Sequence, residues 1–262
     1  MKDVWLHRFS IVLAVCTLFL VIAGALPEMT GGALGERSHH LVATAVGFLT
    51  LVLAVWIWKT DERVWLRRLG GAALGAVLLQ GVLGMAGVGH SVLGQVFFST
   101  IVAIAIFSSP SWKRGPMMVE DTGWPSIRTL AAAAPLLAVA QVGLGSAYRS
   151  GAMAIVPHVI GAFVVTAALL MASMFVLLQF GSHRELKLAA RCVMAIAIAQ
   201  IVLGIGAYLV RVTEAEMAAV TAAHIGAGAL TLAASAALAI QVLRNVAPGQ
   251  HAVTTGGAAV AP

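Results

Sequence analysis

Four histidines, one carboxylate and three arginines are the side chains best placed for chemistry in this chain. His39, His90, His158 and His224 stand at the ends of stretches almost free of charge, and Glu36 precedes His39 by three residues in Glu36-Arg-Ser-His39-His40-Leu-Val-Ala43. An ionisable group at the edge of an apolar run is costly unless it faces the interior of a bundle, which makes each a functional-site expectation. On a helix, a spacing of three puts Glu36 and His39 on one face. The plainer alternative is a helix-end cap, with Glu36 beside an N-terminus. One buried histidine is ordinarily a hydrogen-bonded core residue; four at corresponding places form a set. Two imidazoles from facing helices can ligate a haem iron axially, and the apolar walls of a bundle can receive the macrocycle. Zinc fits the pattern less well, because structural sites take four ligands and catalytic sites usually three. Arg37, Arg149 and Arg211 lie near the histidine level, where a guanidinium can bind a haem propionate bidentately. Their alternative role is anchoring at the membrane interface.

The elements that must position these groups are membrane spans. The 262 residues are 60% hydrophobic and 10% charged, against roughly 25% charged in an average soluble domain. Eight runs near the ~20 residues needed to cross the hydrocarbon core cover residues 9–26, 41–58, 69–88, 91–107, 129–147, 159–180, 188–210 and 217–242. These lengths predict helices and exclude a strand barrel. The first run follows Lys2 and Arg8 and ends in Ala23-Gly24-Ala25, as a cleaved signal would, but removing it would break an internal repeat, so it is taken as a span. The net charge of +6 reads as topology rather than nucleic-acid binding. With the N-terminus in the cytoplasm, all Lys and Arg except Arg37, Arg149 and Arg211 fall on that side, a strong positive-inside bias.

The repeat is one of register more than identity. His39 and His158 each open the second span of a half, with Ala43 and Ala162 four residues on and Val46 and Val165 seven residues on. His90 and His224 occupy the fourth spans, and a Gln-x-x-Leu-Gly ending recurs at Gln80, Gln141 and Gln200. The expected fold is therefore an all-α integral membrane protein of eight transmembrane helices, built as two parallel four-helix repeats about an axis along the membrane normal, N-in and C-in. Residues 1–108 form one half, 109–128 a Pro- and Trp-bearing cytoplasmic linker, 129–244 the second half, and 245–262 a tail without apolar periodicity, expected to be disordered. Gly71-x-x-x-Gly75 reads as a helix-packing signal. Cys16 and Cys192 fall inside spans, which leaves no disulfide in an external loop and predicts small core residues. His7, His183 and His251 lie in cytoplasmic or tail segments, and His40 duplicates His39.

Glu36-x-x-His39, the short turn before His90-Ser-Val-Leu-Gly-Gln-Val-Phe-Phe, Tyr148-Arg-x-Gly-Ala followed by Pro157-His158, and His224 in the last span together resemble the haem A synthase family. The likeness runs from Arg8 to about Leu243. It implies an oxidoreductase of the cell membrane that converts a methyl group of haem O to the formyl of haem A for cytochrome oxidase assembly. It further implies a resident haem b on His158 and His224, a substrate haem on His39 and His90, both toward the outer leaflet, and a catalytic role for Glu36. Haem O would come from a haem O synthase, an electron donor in the membrane is required, and a homo-oligomer is left open. Two features differ from the family pattern: His40 stands where arginine is usual, and the first external loop lacks a cysteine pair. The likeness then places His40 in the arginine's propionate contact, beside Arg37, Arg149 and Arg211. Two other classes share the histidines: a non-enzymatic dihaem cytochrome b, and a haem carrier of the membrane.

Overall fold

The computed structural model describes residues 2–25, 33–84, 87–121, 123–209 and 214–248; within them, the side chains of residues 2–3, 33–36, 38 and 214–215 lie outside the description. The helices are α1 (Lys2–Ala25), α2 (Ala33–Thr60), α3 (Val64–Leu83), α4 (Val88–Ser108), the short α5 (Pro110–Lys113), α6 (Ile127–Arg149), α7 (Ile155–Gln179), α8 (Arg184–Leu209) and α9 (Glu214–Asn245). All but α5 are long and apolar enough to cross a membrane. They form because lipid cannot satisfy a backbone amide, so an apolar stretch of this length must bond to itself. Hydroxyls within the spans follow the same rule, as Ser10, Thr17, Thr50, Ser99 and Thr231 each donate to the carbonyl four residues earlier. Most helices run past the hydropathy limits, because a polar first or last turn costs nothing outside the hydrocarbon. The third stops early, at Leu83 instead of residue 88. There Gly84 leaves the helix at φ 66°, a backbone that glycine adopts without steric cost.

Within each half the four long helices close a ring: α1, α2, α3, α4 and back to α1, then α6, α7, α8, α9 and back to α6. Between the halves α4 packs on α9, while α1 meets α9 as α6 meets α4. Exchanging the halves maps these contacts onto one another, which is the parallel two-fold arrangement with α4 and α9 at its axis. Those two helices are accordingly the most buried of the eight. One apolar cluster centres on Leu13, Leu53, Ile57 and Ile101 and takes in Ala229 and Ala233 from α9; the other centres on Leu169, Val176, Leu186 and Leu238. The close approach of α2 and α3 occurs at Gly70, where a Cβ would sit 3.4 Å from Ile57 Cδ1, whereas Gly71 and Gly75 face nothing within 4 Å among the described residues. Among the described residues, the Gly71-x-x-x-Gly75 packing signal meets no neighbouring helix. Cys16 is half-buried as expected, but Cys192 is exposed, because its face of α8 turns away from the bundle.

The linker is folded onto the ends of the helices. Ser109 Oγ accepts from Trp112 N at 3.1 Å, and buried Asp121 accepts from Ser126 Oγ and Ile127 N, both at 2.9 Å, which caps α6. Val119–Glu120 (β1) pairs in parallel with Val246–Ala247 (β2), and Arg244 lies 3.9 Å over the Trp112 ring while donating to Trp112 O at 2.5 Å. Residues 245–248, expected to belong to a disordered tail, are instead folded onto the linker, since Asn245 closes α9 and accepts from Met117 N at 3.0 Å; residues 249–262 lie outside the description. The pairing partner is more than a hundred residues away, so no local pattern announces it. At the same end, Arg63 donates to both oxygens of Asp61, at 2.9 and 2.6 Å, and to Phe107 O at 3.0 Å. These guanidinium hydrogen bonds hold the Asp61 carboxyl below its usual range and tie the α2–α3 turn to α4.

Candidate functional site

At the end opposite the linker the four histidines meet in two pairs. His39 of α2 faces His90 of α4 with ring centroids 6.5 Å apart and planes at 56°. His158 of α7 faces His224 of α9 at 6.4 Å and 87°. The sequence positions differ in depth: His90 is near the first residue of its helix, whereas His224 lies ten residues past Glu214. Helices of unequal length absorb that difference. The 32 residues of α9 span about 48 Å at 1.5 Å per residue, well beyond a hydrocarbon core of ~30 Å, so its first turns project and His224 reaches the level of His158.

Each of three imidazoles is seated on a glycine of the preceding helix. A Cβ on Gly24, Gly145 or Gly204 would lie 2.9 Å from Cε1 of His39, His158 or His224, respectively. Glutamines one turn below complete the arrangement. Gln141 Nε2 is 3.0 Å from His158 Nδ1 and donates to His158 O at 2.9 Å; Gln200 Nε2 is 3.4 Å from His224 Nε2; Gln80 Nε2 donates to His90 O at 3.0 Å. Nδ1 of His39 and Nδ1 of His224 are buried with no hydrogen-bond partner among the described residues. A buried acceptor or donor left unmade costs about 1–3 kcal/mol, so each pair carries a nitrogen whose cost a ligand would remove.

The remaining candidates fall around these pairs. Arg149, at the end of α6, donates from Nη2 to Ser91 Oγ at 3.1 Å, so a guanidinium of the C-terminal half stands beside His90 of the other half. Tyr148 lies nearly parallel to His158, at 11° and 6.5 Å between centroids. His40 is exposed, its ring 6.0 Å from that of His39, and Arg37 is exposed. Glu36 is on the first turn of α2, with its side chain outside the described residues, and Arg211 lies outside them altogether. Sequence reading missed the glutamines and glycines as partners of the imidazoles, treating them only as repeat and packing marks. Their signal was present: a Gln-x-x-x-Gly one helix before His90, His158 and His224.

A metal ion bonds an imidazole nitrogen at about 2.0–2.1 Å, so two rings on opposite sides of one ion stand roughly 6 Å apart between centroids. Both pairs, at 6.5 and 6.4 Å, meet that requirement, and they meet it with two ligands each; among the described residues no group of three or more His, Cys, Asp or Glu could hold a metal ion. Two facing imidazoles could hold one iron if a macrocycle supplied its other ligands. No protein-family model matches the chain, and no curated protein matches it.

The glycine seats can be tested apart from any ligand. Gly145→Ala and Gly204→Ala are expected to destabilise the detergent-purified protein, because overpacking costs about 1–3 kcal/mol against a helix-propensity gain of about 1 kcal/mol. Gly75→Ala, which meets nothing within 4 Å among the described residues, is expected to be neutral or slightly stabilising. Thermal unfolding followed by circular dichroism separates them, and equal stability of all three variants would mean that the imidazoles are not seated as described.

Proposed function

We propose that this protein oxidises a methyl group of haem O to the formyl group of haem A, with a resident haem b on His158 and His224 and the substrate on His39 and His90. The change removes four electrons and four protons, adds one oxygen atom from water and so requires an external electron acceptor. The observation that carries the reading is one histidine pair per half, each at the separation that two axial ligands of one iron require. A bound haem b supplies one-electron redox chemistry. The chain's own part is to bind, orient and move protons. His158 and His224 fix the resident group, with Tyr148 flat beside His158; Arg149 offers a guanidinium between the halves, where a propionate from either site can be neutralised. Arg37, His40 and Arg211 complete the proposed propionate contacts. Glu36, one turn before His39 on α2, is assigned the carboxylate that accepts a proton or balances positive charge as the methyl carbon is oxidised.

Co-expression with a haem O synthase in a host that makes no haem A, followed by extraction and mass analysis of the haems, tests the reading. Haem A in the extract is expected; haem b and haem O alone would reject it. The second reading, a dihaem cytochrome b or a haem carrier, draws on the near-identical separations of the two pairs, and it forecasts haem b with no change in any haem's chemistry.

The reading also places the protein in the cell membrane with the histidine end outward, on the strength of the basic-residue asymmetry. Reporter fusions after Lys59, Lys113 and Lys187 are expected to read as cytoplasmic, and fusions near Glu28, Gly89, Ser150 and Glu214 as external. The reverse pattern would move both pairs to the cytoplasmic leaflet.

A further inference from the structure

We infer that Gln141 and Gln200 are positioning residues that hold His158 and His224 for a permanent occupant, and that Leu20, at the equivalent place before His39, leaves the other pair suited to exchange. The inference rests on the functional reading above. Counting back four residues from each seating glycine gives Gln141 from Gly145, Gln200 from Gly204 and Leu20 from Gly24. The two glutamines bring amide nitrogens to ring nitrogens of their histidines, at 3.0 and 3.4 Å. Leu20 has no polar atom to offer and is half-buried against the N-terminal core.

The facing helices repeat the same division. A Cβ at Gly161 would overlap the Gln141 amide, and one at Gly228 would lie 3.4 Å from Gln200 Nε2, so α7 and α9 make room for an amide one turn beyond their histidines. On α4 the same room exists at Gly94, where a Cβ would lie 3.0 Å from Gln80 Nε2, but on α2 the place that corresponds to Gly161, three residues past the histidine, is Val42. The N-terminal half thus lacks both the amide and the space for it at His39.

A ligating imidazole whose second nitrogen is hydrogen-bonded keeps its tautomer and its orientation, and loss of such a partner typically lowers metal affinity about 10–100-fold. Gln141 Nε2 donates to a bare Nδ1 in this structure; with the amide turned over, Oε1 accepts from Nδ1–H, the tautomer whose Nε2 is free to bind a metal. An imidazole held this way would stay directed at the other ring if its bond to a metal opened, which would favour rebonding over escape. His39 has no such restraint from α1, so its occupant is released more readily, as turnover of a substrate haem requires.

The test uses the full-length protein purified with haem, with transfer of haem to excess apomyoglobin followed by absorbance and the reduction potential of the low-spin haem measured alongside. Gln141→Leu and Gln200→Leu are expected to speed loss of the resident haem about 10–100-fold. Gln141→Glu, which keeps the shape and adds charge, is expected to retain the haem and lower its reduction potential, an effect that a mere packing role would not produce. Leu20→Gln combined with Val42→Gly, which transplants the amide and its space, is expected to slow release of haem loaded at His39 and His90. A parent protein that holds no haem overturns the functional reading and this inference together. A parent that holds haem, with leucine variants matching its release rate and a Gln141→Glu variant matching its potential, overturns this inference alone.

Discussion

Replacing His158 and His224 together with alanine is expected to yield a folded protein without its low-spin resident haem, whereas His39→Ala or His90→Ala is expected to keep that haem. The two pairs lie in different four-helix rings, each with its own apolar cluster, so a change in one pair need not disturb the other. Axial ligation by two imidazoles gives a low-spin spectrum, and with both imidazoles gone the iron has no protein ligand. The alanine changes open a cavity at Gly145 and Gly204 and take the ring partners from Gln141 and Gln200, so stability falls, and circular dichroism establishes that the variant is folded before its haem is read. The absorption spectrum of each purified variant decides the matter. A resident low-spin haem that persists in the His158→Ala/His224→Ala protein, and disappears on replacing His39 or His90, would exchange the roles of the halves.

Glu36→Gln is expected to retain haem and to accumulate haem O or a hydroxylated intermediate in place of haem A. Glu36 sits on the helix that carries His39, one turn nearer its start, so were haem O held at His39, this carboxylate would be the proposed proton acceptor on that helix. The reacting methyl lies at the edge of the macrocycle. Glutamine keeps the shape of the side chain and removes both its charge and its ability to accept a proton. Glu36→Asp, one methylene shorter, is expected to keep partial activity. If Glu36 only balanced the positive end of α2, its loss would cost about 1 kcal/mol or less and leave the yield unchanged. Haem A quantified per mole of folded protein separates the two roles, and a full yield from Glu36→Gln would remove this carboxylate from the mechanism.

Hydropathy and counting revealed the eight spans, the register of the four histidines and the linker between the halves, because each depends on residues near one another in the chain. The cost of an unpaired amide in lipid is paid locally, so any run of this length and composition becomes a helix whatever surrounds it. Helix ends were less legible: α2 begins at Ala33, six residues before His39, because a polar turn outside the hydrocarbon is allowed by hydropathy but not demanded by it. The β1–β2 pair and the stacking of Arg244 on Trp112 join segments far apart in sequence and left no local mark.

What only the tertiary structure decided is which groups touch. The sequence placed four imidazoles at one end of a bundle, and the closing of α1–α4 and of α6–α9 into two rings brought them into pairs at 6.5 and 6.4 Å. It also turned Gln141 and Gln200 from repeat markers into partners of His158 and His224, since an amide in a span has the same sequence signature whether it faces a helix, a ligand or a ring. Gly71 and Gly75 make the converse point: a small-residue pattern permits close approach, but only a neighbouring helix determines whether it occurs, and the neighbour came to Gly70.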